Sequence, residues 1–286
     1  MKGKIERRTF FKHLFSLSAF SAASILSFKK SMANKIGKLG FTKNAYAVGN
    51  PDYMMPNSKN MLRIEYVGMS CFVITSSNGT KIITDPFLAD KNIFHAELQR
   101  ETADVVTISC GHYAHCNVSA VGGSPYLYQI TEPTEIKGIK FKGVATRHPS
   151  ISDVMSTIEP GVNVVICFEV DGIRICHLGA LGHKLSDDQI EQIGKVDILM
   201  VPVGGVSSMP VDVATEVCNQ LNPRVILPMH YKSERCPLPG WATVDEFLKD
   251  KKNVARCDSN VGSSQLVFSL GMLPSETLIV VPRFVY

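Results

Sequence analysis

The sequence has no excess of basic residues outside its first 47 positions, although its formal net charge is +4. Residues 1–47 carry ten Lys or Arg and one acidic residue, Glu6. That leaves 20 basic and 25 acidic residues for 48–286, so this larger part carries a net negative charge. Because nucleic-acid binding favours a clustered basic face, the distribution argues against a nucleic-acid partner.

A long uninterrupted apolar run is also missing. The best candidate, Leu14–Phe28, is short and contains five serines, so it is too mild to predict a membrane span. It follows Glu6-Arg7-Arg8-Thr9-Phe10-Phe11-Lys12, which resembles the twin-arginine export motif. In that motif Ser or Thr is usual where Glu6 stands, while the arginine pair, the phenylalanine and the lysine match.

Two small-x-small sites typical of signal-peptidase cleavage follow, at Ser31-Met32-Ala33 and Ala45-Tyr46-Ala47. The second is favoured because the folded pattern begins only near Met61. We therefore interpret 1–47 as a signal segment and linker, and 48–286 as a single domain. The expected location is the periplasm or another exported compartment, with membrane contact only through an uncleaved signal. A disordered basic tail is the alternative.

No tight CxxC pair occurs among the eight cysteines, all of which lie after residue 47. An even number in an exported protein permits disulfides, but the sequence does not define a pairing. Cys71, Cys167 and Cys176 lie in apolar, strand-like runs, where we expect buried free thiols. The abundance of cysteine leaves open a thiol-based redox or metal-sequestering role.

The periodicity of 61–286 predicts an α/β fold. Asn78-Gly79 and Asp171-Gly172 predict two hairpins. Apolar and β-branched runs predict strands at Leu62–Val67, Cys71–Thr75, Lys81–Thr84, Ala103–Ser109, Thr134–Thr146 (two strands around Gly138), Val162–Val170, Arg174–His177, Asp197–Val203, Arg224–Pro228 and Gln265–Leu270. Helices are predicted at Asn92–Arg100, Ser186–Ile193, Val211–Leu221 and Thr243–Lys249. Strands that come first, followed by strands interleaved with helices, fit two sheets covered by helices on their outer faces.

Histidines occur in four loops that follow predicted strands. These loops are Cys110–His115, Arg147-His148-Pro149, His177–His183 and Pro228-Met229-His230-Tyr231. Histidine is the commonest metal ligand among side chains, and zinc accepts histidine and cysteine with three or four protein ligands. One such loop is weak evidence, whereas four loops in this order indicate a metal site.

The stretch Leu62–Tyr231 resembles the metallo-β-lactamase superfamily. It is similar to the zinc-dependent hydrolase branch that includes an ascorbate-6-phosphate lactonase and a phospholipase D acting on N-acyl lipids. The motifs that carry the resemblance are Thr84-Asp85-Pro86-Phe87, His177-Leu178-Gly179, Leu181-Gly182-His183, Val201–Gly205 and Leu227–Tyr231. The resemblance implies an αββα sandwich of two mixed β-sheets flanked by helices. It also implies hydrolysis by metal-activated water.

The chain departs from that family at the metal ligands. The first metal's family ligands map to Cys110, His112 and His148, and the second metal's map to Ala114, His115, Ala180 and His230. Alanine has no donor atom, so both carboxylates of the usual two-metal site are lost. Early in the chain, Met69 stands where many relatives have histidine.

We therefore expect one rearranged ion rather than two. Its ligands would be some four of the remaining donors, Cys110, His112, His115, His148 and His230. Zinc is expected, with another transition metal as the alternative.

Other polar residues are expected to support these ligands. By resemblance, Asp85 hydrogen-bonds to the metal loop from behind; a simple turn residue before Pro86 is the alternative. His177 and His183 flank the lost carboxylate at Ala180, where a supporting or surface position is favoured over ligation. Tyr113 and Tyr231 either offer hydroxyls to a substrate or wall the pocket.

Two readings of Cys110 compete with metal ligation. It can act as a covalent nucleophile with a neighbouring histidine as base, or form a disulfide with Cys116.

At the level of function, the first hypothesis is a hydrolase-like protein that opens an ester, lactone or phosphodiester of a small-molecule substrate. The second is a catalytically silent relative that acts as a binding or scaffolding domain for an unknown ligand.

Overall fold

The computed structural model describes residues 61–89, 98, 101–149, 161–257 and 265–284. The chain divides into two units, Met1–Ala45 and Tyr46–Tyr286, and the described residues all belong to the second. The predicted signal segment and its boundary at residue 47 lie outside the described residues, as does nearly all of the predicted helix Asn92–Arg100.

The first sheet has six strands. They are β1 (Leu62–Gly68), β2 (Cys71–Thr75), β3 (Lys81–Thr84), β4 (Val105–Thr107), β5 (Tyr126–Tyr128) and β13 (Gln265–Phe268), in the order β13-β1-β2-β3-β4-β5. Strands β13, β1, β2 and β3 pair antiparallel, whereas β3, β4 and β5 pair parallel. The sheet is therefore mixed, and the ends of β3 and β4 meet at one edge.

The second sheet has eight strands. They are β6 (Thr134–Ile136), β7 (Ile139–Arg147), β8 (Val162–Val170), β9 (Ile173–His177), β10 (Ile198–Pro202), β11 (Val225–Met229), β12 (Val254–Arg256) and β14 (Leu278–Val281). Their order is β12-β14-β11-β10-β9-β8-β7-β6, parallel from β12 to β9 and antiparallel from β9 to β6. Strands β10 and β11 are buried along their whole length, as expected for parallel strands covered on both faces.

Among the described residues, three helices accompany the second sheet: α1 (Asp187–Ile193), α2 (Val211–Leu221) and α3 (Val244–Leu248). Helices α1 and α3 each begin with a capping box, built on Ser186 and Thr243, in which side chain and backbone satisfy each other's donors. Helix α1 packs on β7 and helix α2 on β10. Two short 3₁₀ turns lie at Val118–Ala120 and Leu270–Met272. In the part of the chain that the structure describes, no helix has the length and apolarity to cross a membrane.

These observations confirm the predicted fold class, an αββα sandwich of two mixed sheets. The Asp171-Gly172 turn has positive φ at both central residues, 53° and 77°, as a two-residue hairpin turn requires. Strand β4 is shorter than predicted at both ends, since it covers only Val105–Thr107. Three short strands, β5, β12 and β14, were not predicted.

A substitution at Gly143 would test how tightly the second sheet is packed. It lies in β7, and an added Cβ would lie 2.2 Å from the Ile130 carbonyl oxygen and 2.7 Å from Val164 Cγ1. We expect Gly143→Ala to lower the free energy of unfolding by about 1–3 kcal/mol, since neither neighbour is a flexible chain end. Gly271→Ala is the control, because an added Cβ there meets nothing within 4 Å. Urea unfolding of both variants measures the difference; equal stability would contradict this packing.

Candidate metal centre

The loops that carry the predicted site residues follow β3, β4, β7, β9 and β11. All of these strands except β7 have a parallel neighbour, so most of the loops begin at the carboxyl ends of parallel strands. Carboxyl ends of neighbouring parallel strands meet at the same edge, where binding sites of layered α/β proteins form. The structure brings the histidines of three of these loops into one cluster, described below. It places the histidines of the loop after β9 differently.

Asp85 is the buried anchor of the loop after β4. It is fully buried, has a positive φ of 38°, and accepts hydrogen bonds from Ser109 N at 2.8 Å and Ser109 Oγ at 2.5 Å. Burial raises the pKa of Asp85 to about 6, while His177 and the two Ser109 hydrogen bonds act in the opposite direction. Near neutral pH the side chain is therefore mainly a carboxylate that fixes the backbone after β4.

His115 is oriented by that carboxylate. Its Nδ1 lies 2.7 Å from Asp85 Oδ2, and both side chains are buried. Burial lowers the pKa of His115 well below its usual range, and the neighbouring His112 and His148 lower it further. A neutral imidazole beside a carboxylate places its proton on Nδ1, which leaves Nε2 with a free lone pair. Carboxylate–histidine pairs of this kind set the tautomer and direction of metal-binding imidazoles.

Three more imidazoles lie around His115. The ring centroid of His112 is 6.3 Å from His115 and 6.1 Å from His148, and that of His230 is 5.3 Å from His115. We call these four residues the histidine cluster. For two imidazoles on one tetrahedral zinc, the nitrogen–zinc distance of about 2.0–2.1 Å implies centroids about 5 Å apart. The centroids of His115 and His230 are close to that spacing, whereas the His112 centroid is farther from that of His115.

His230 is held by its backbone as well as its ring. It has a positive φ of 53°, and its N–H donates to the Met69 carbonyl at 2.7 Å. Gly204 allows the backbone of His230 to come this close, because a Cβ at position 204 would lie 2.2 Å from the His230 carbonyl oxygen. The ring stacks on Trp241 with centroids 4.4 Å apart, and its Nδ1 is buried with no hydrogen-bond partner among the described residues. A buried nitrogen left in this state is a donor atom available to a ligand.

His177 and His183 are not arranged as ligands. His177 is buried, its Nε2–H donates to the Ser70 carbonyl at 2.8 Å, and its Nδ1 accepts from Gly179 N at 3.2 Å. His183 Nε2 accepts from Arg147 N at 3.1 Å, and its Nδ1 lies 2.6 Å from the Lys184 carbonyl. Both nitrogens of each ring are used, so these residues shape the loop after β9.

Ala114 and Ala180 are buried positions without donor atoms. Ala180 N–H donates to Asn163 Oδ1 at 2.8 Å, and Asn163 Nδ2 donates to Leu178 O at 3.0 Å and to Thr146 Oγ1 at 2.8 Å. Asn163 therefore organises the loop after β9 from within β8. Sequence reasoning missed it, although a lone asparagine in the apolar run Val162–Val170 was a usable signal.

Cys110 is buried, and all eight cysteines are free thiols. The alternative Cys110–Cys116 disulfide is not formed in this structure, where Cys116 Sγ donates to the Gly111 carbonyl at 3.3 Å. Burial raises the pKa of the Cys110 thiol, and the charge of Asp85 raises it further. A covalent nucleophile requires a thiolate, so this environment disfavours that reading of Cys110.

The two tyrosines differ in their surroundings. Tyr113 packs its ring on His112 with centroids 4.1 Å apart and so borders the histidine cluster. Tyr231 is buried and packs against Tyr66 at 6.2 Å, which places it in the core. Of the two, Tyr113 is the one whose ring contacts a histidine of the cluster.

The donor atoms fit a transition metal in type but only partly in arrangement. Neutral imidazoles and a thiol suit zinc, and the buried Nδ1 of His230 lacks a partner in the described structure. Yet no group of three His, Cys, Asp or Glu side chains within the described ranges is arranged to hold an ion.

Comparison with known proteins places the fold in a family. A model of the β-lactamase superfamily domain matches residues 63–230. A crystal structure from Thermotoga maritima, assigned as a zinc-dependent hydrolase of the metallo-β-lactamase superfamily, superposes with a TM-score of 0.60. That protein is 36% identical, and the match covers 77% of this chain and 97% of that one.

Two sequence relatives agree. A UPF0173 metal-dependent hydrolase of Thermococcus onnurineus is 29% identical over 213 residues, covering 66% of this chain and 92% of its own length. Another UPF0173 metal-dependent hydrolase, from Polaromonas sp., is 28% identical over 225 residues, covering 64% and 81%. The chain belongs to the metallo-β-lactamase superfamily.

The buried imidazoles predict sensitivity to acid. Burial lowers the pKa values of His115, His177 and His230, so below the ordinary histidine pKa of about 6.5 the unfolded chain takes up protons that the folded chain does not. Asp85 acts in the opposite direction, because its raised pKa makes the folded state bind its proton first as the pH falls from about 6. Three imidazoles outweigh one carboxyl group, so stability falls as the pH falls below about 6.5.

Urea unfolding in the presence of a chelator, at steps between pH 7.5 and 5.5, measures this dependence. His177→Gln removes one of the buried titrating groups and should reduce the slope by up to about one proton. A free energy of unfolding that stays constant or rises on acidification would contradict the burial of neutral imidazoles.

Proposed function

We propose that this protein is an exported hydrolase of the metallo-β-lactamase fold that works with a single transition metal, zinc in the first instance. The observation that carries the proposal is the histidine cluster, in which Asp85 orients His115 toward His230. Support also comes from relatives that are themselves metal-dependent hydrolases. The loss of carboxylates at Ala114 and Ala180 favours one ion over two.

The proposed ligands have different positions in the site. His115 and His230 offer the inner donor atoms, while His112, His148 and the nearby Cys110 are available to complete the ligand set. A bound metal of this class supplies Lewis acidity and lowers the pKa of water. Asp85 keeps the proton of His115 on Nδ1, and Trp241 covers one face of His230, which keeps bulk water from that side.

For the substrate, we propose a small molecule that carries an ester, lactone or phosphodiester. The resemblance to the lactonase and N-acyl lipid phospholipase branch supports this choice. Tyr113 beside His112 offers an aromatic wall for the substrate. Export by the twin-arginine route, supported by Arg7 and Arg8, would deliver a folded protein with its metal in place to the periplasm.

The second candidate is a catalytically silent relative that binds a ligand. Two observations favour it: alanine at both carboxylate positions, and the absence, in the described part of the chain, of a ready group of three donors. The two candidates differ in whether the folded protein retains an ion.

Metal content separates them. Protein purified without chelator or metal-affinity resin should hold about one zinc or similar ion per chain by mass spectrometry. His115→Ala and His230→Ala should each lose it, and Asp85→Asn should weaken binding by about 10–100-fold. His183→Ala is the matched control, because both nitrogens of that ring are already hydrogen-bonded.

Activity and folding complete this test. His112→Ala combined with His148→Ala should abolish hydrolysis of lactone and phosphodiester substrates, while circular dichroism verifies that each variant is folded. A folded wild-type protein without metal would overturn the hydrolase proposal and support the silent relative.

Restoring the lost carboxylates tests the residue assignment. Ala114→Asp with Ala180→Asp should raise the metal content toward about two per chain, because carboxylates supply both donor atoms and negative charge beside two dications. The isosteric Ala114→Asn with Ala180→Asn controls for side-chain volume without the charge. If the double aspartate variant folds and its metal content stays unchanged, these two positions do not face the centre.

A further inference from the structure

Cys167 and Cys176 form a pair on the second sheet, away from the histidine cluster. They are cross-strand partners in the register of β8 and β9, and their Sγ atoms lie 3.6 Å apart. Cys176 is 1% exposed, whereas Cys167 is only partly buried. The hydrolase proposal uses neither thiol.

The hairpin fixes which kind of cross-strand pair this is. Val170 and Ile173 close the two-residue turn at Asp171-Gly172, so they form a hydrogen-bonded pair. Hydrogen-bonded and non-hydrogen-bonded pairs alternate along an antiparallel ladder, and three steps further on Cys167 faces Cys176 as a non-hydrogen-bonded pair. In such pairs the Cα atoms are about 4.5 Å apart, which lies within the range of about 4.4–6.8 Å that disulfides span.

The pair is also reachable from solvent. Both cysteines line a surface cleft of about 390 Å³ together with Lys142, Arg174 and Lys195. Lys142 stands opposite Cys167 on β7, and its ammonium group donates to the Gln192 carbonyl. Burial raises the pKa of the Cys176 thiol, and the positive charge of Lys142 acts in the opposite direction.

We propose that Cys167 and Cys176 are a redox-active dithiol that closes to a cross-strand disulfide by exchange with a small disulfide compound. The partly exposed Cys167 thiolate attacks one sulfur of that compound, forms a mixed disulfide and releases the first thiol. Cys176 then loses its proton, attacks Cys167 Sγ and releases the second thiol. The dithiol is oxidised, the small disulfide is reduced to two thiols, and the S–S bond joins β8 to β9 one residue before His177.

The test equilibrates the full-length reduced protein with oxidised glutathione and then blocks the remaining thiols with iodoacetamide. Peptide mapping should show one peptide linking Cys167 to Cys176, two hydrogens lighter than the two reduced peptides together, with neither cysteine carrying glutathione or the blocking group. Excess dithiothreitol should reverse the change. Cys218→Ala, which removes a buried cysteine of α2, is the matched control and should form the same disulfide.

Two variants test the order of attack. In Cys176→Ala, Cys167 should retain one glutathione as a stable mixed disulfide, because no second thiol can displace it. In Cys167→Ala, the buried Cys176 should stay unmodified. If either variant does not fold, the wild-type peptide map decides.

Three results would overturn the proposal. The first is a folded wild-type protein in which both thiols remain reduced under oxidised glutathione. The second is wild-type protein that keeps glutathione on Cys167 without closing. The third is a crosslink between other cysteines. None of these results bears on the metal content of the histidine cluster, so this proposal and the hydrolase proposal fail independently.

Discussion

The buried hydrogen bond between Asp85 and His115 is the interaction on which the rest of the centre depends. A carboxylate excluded from water is costly unless charged or polar partners compensate it, and here Ser109 supplies two hydrogen bonds and His115 a third. Those partners connect the end of β3 to the loop after β4. The direction of His115, and through it the position of the cluster, follows from satisfying one buried acid.

The electrostatics of the cluster follow from what has been lost. With alanine at positions 114 and 180, Asp85 remains as a carboxylate next to His115, and its charge raises the pKa of the Cys110 thiol. His115 and His230 stay neutral, because burial lowers the pKa of each imidazole and the neighbouring histidines lower it further. Such a site retains the donor atoms of a metal centre while lacking the charge that two dications require. This charge balance supports the proposal of one ion over two.

Much of the fold could be predicted from the sequence because its signals are local. Two-residue turns, apolar runs and the caps at Ser186 and Thr243 each act within a few residues. The strands that were missed, β5, β12 and β14, have three or four residues each and depend on neighbours far along the chain. The same distinction between local signals and distant contacts applies to the site. Histidine-bearing loops identified the cluster, whereas the roles of Ser109 and Trp241 arise from contacts that no local pattern encodes.

The carbonyl of Met69 accepts hydrogen bonds from the Tyr66 hydroxyl at 2.9 Å and from the backbone of His230 at 2.7 Å. One acceptor thus joins the turn after β1, in the first sheet, to the end of β11, in the second. His115 and His230, the inner pair of the cluster, come from these same two layers. A ligand that contacts both rings links the two layers. Its binding free energy therefore adds to the free energy of unfolding of the whole domain. At a ligand concentration one hundred times its Kd, binding adds about 2.7 kcal/mol to the free energy of unfolding. Occupancy of the centre and resistance to unfolding are therefore thermodynamically linked.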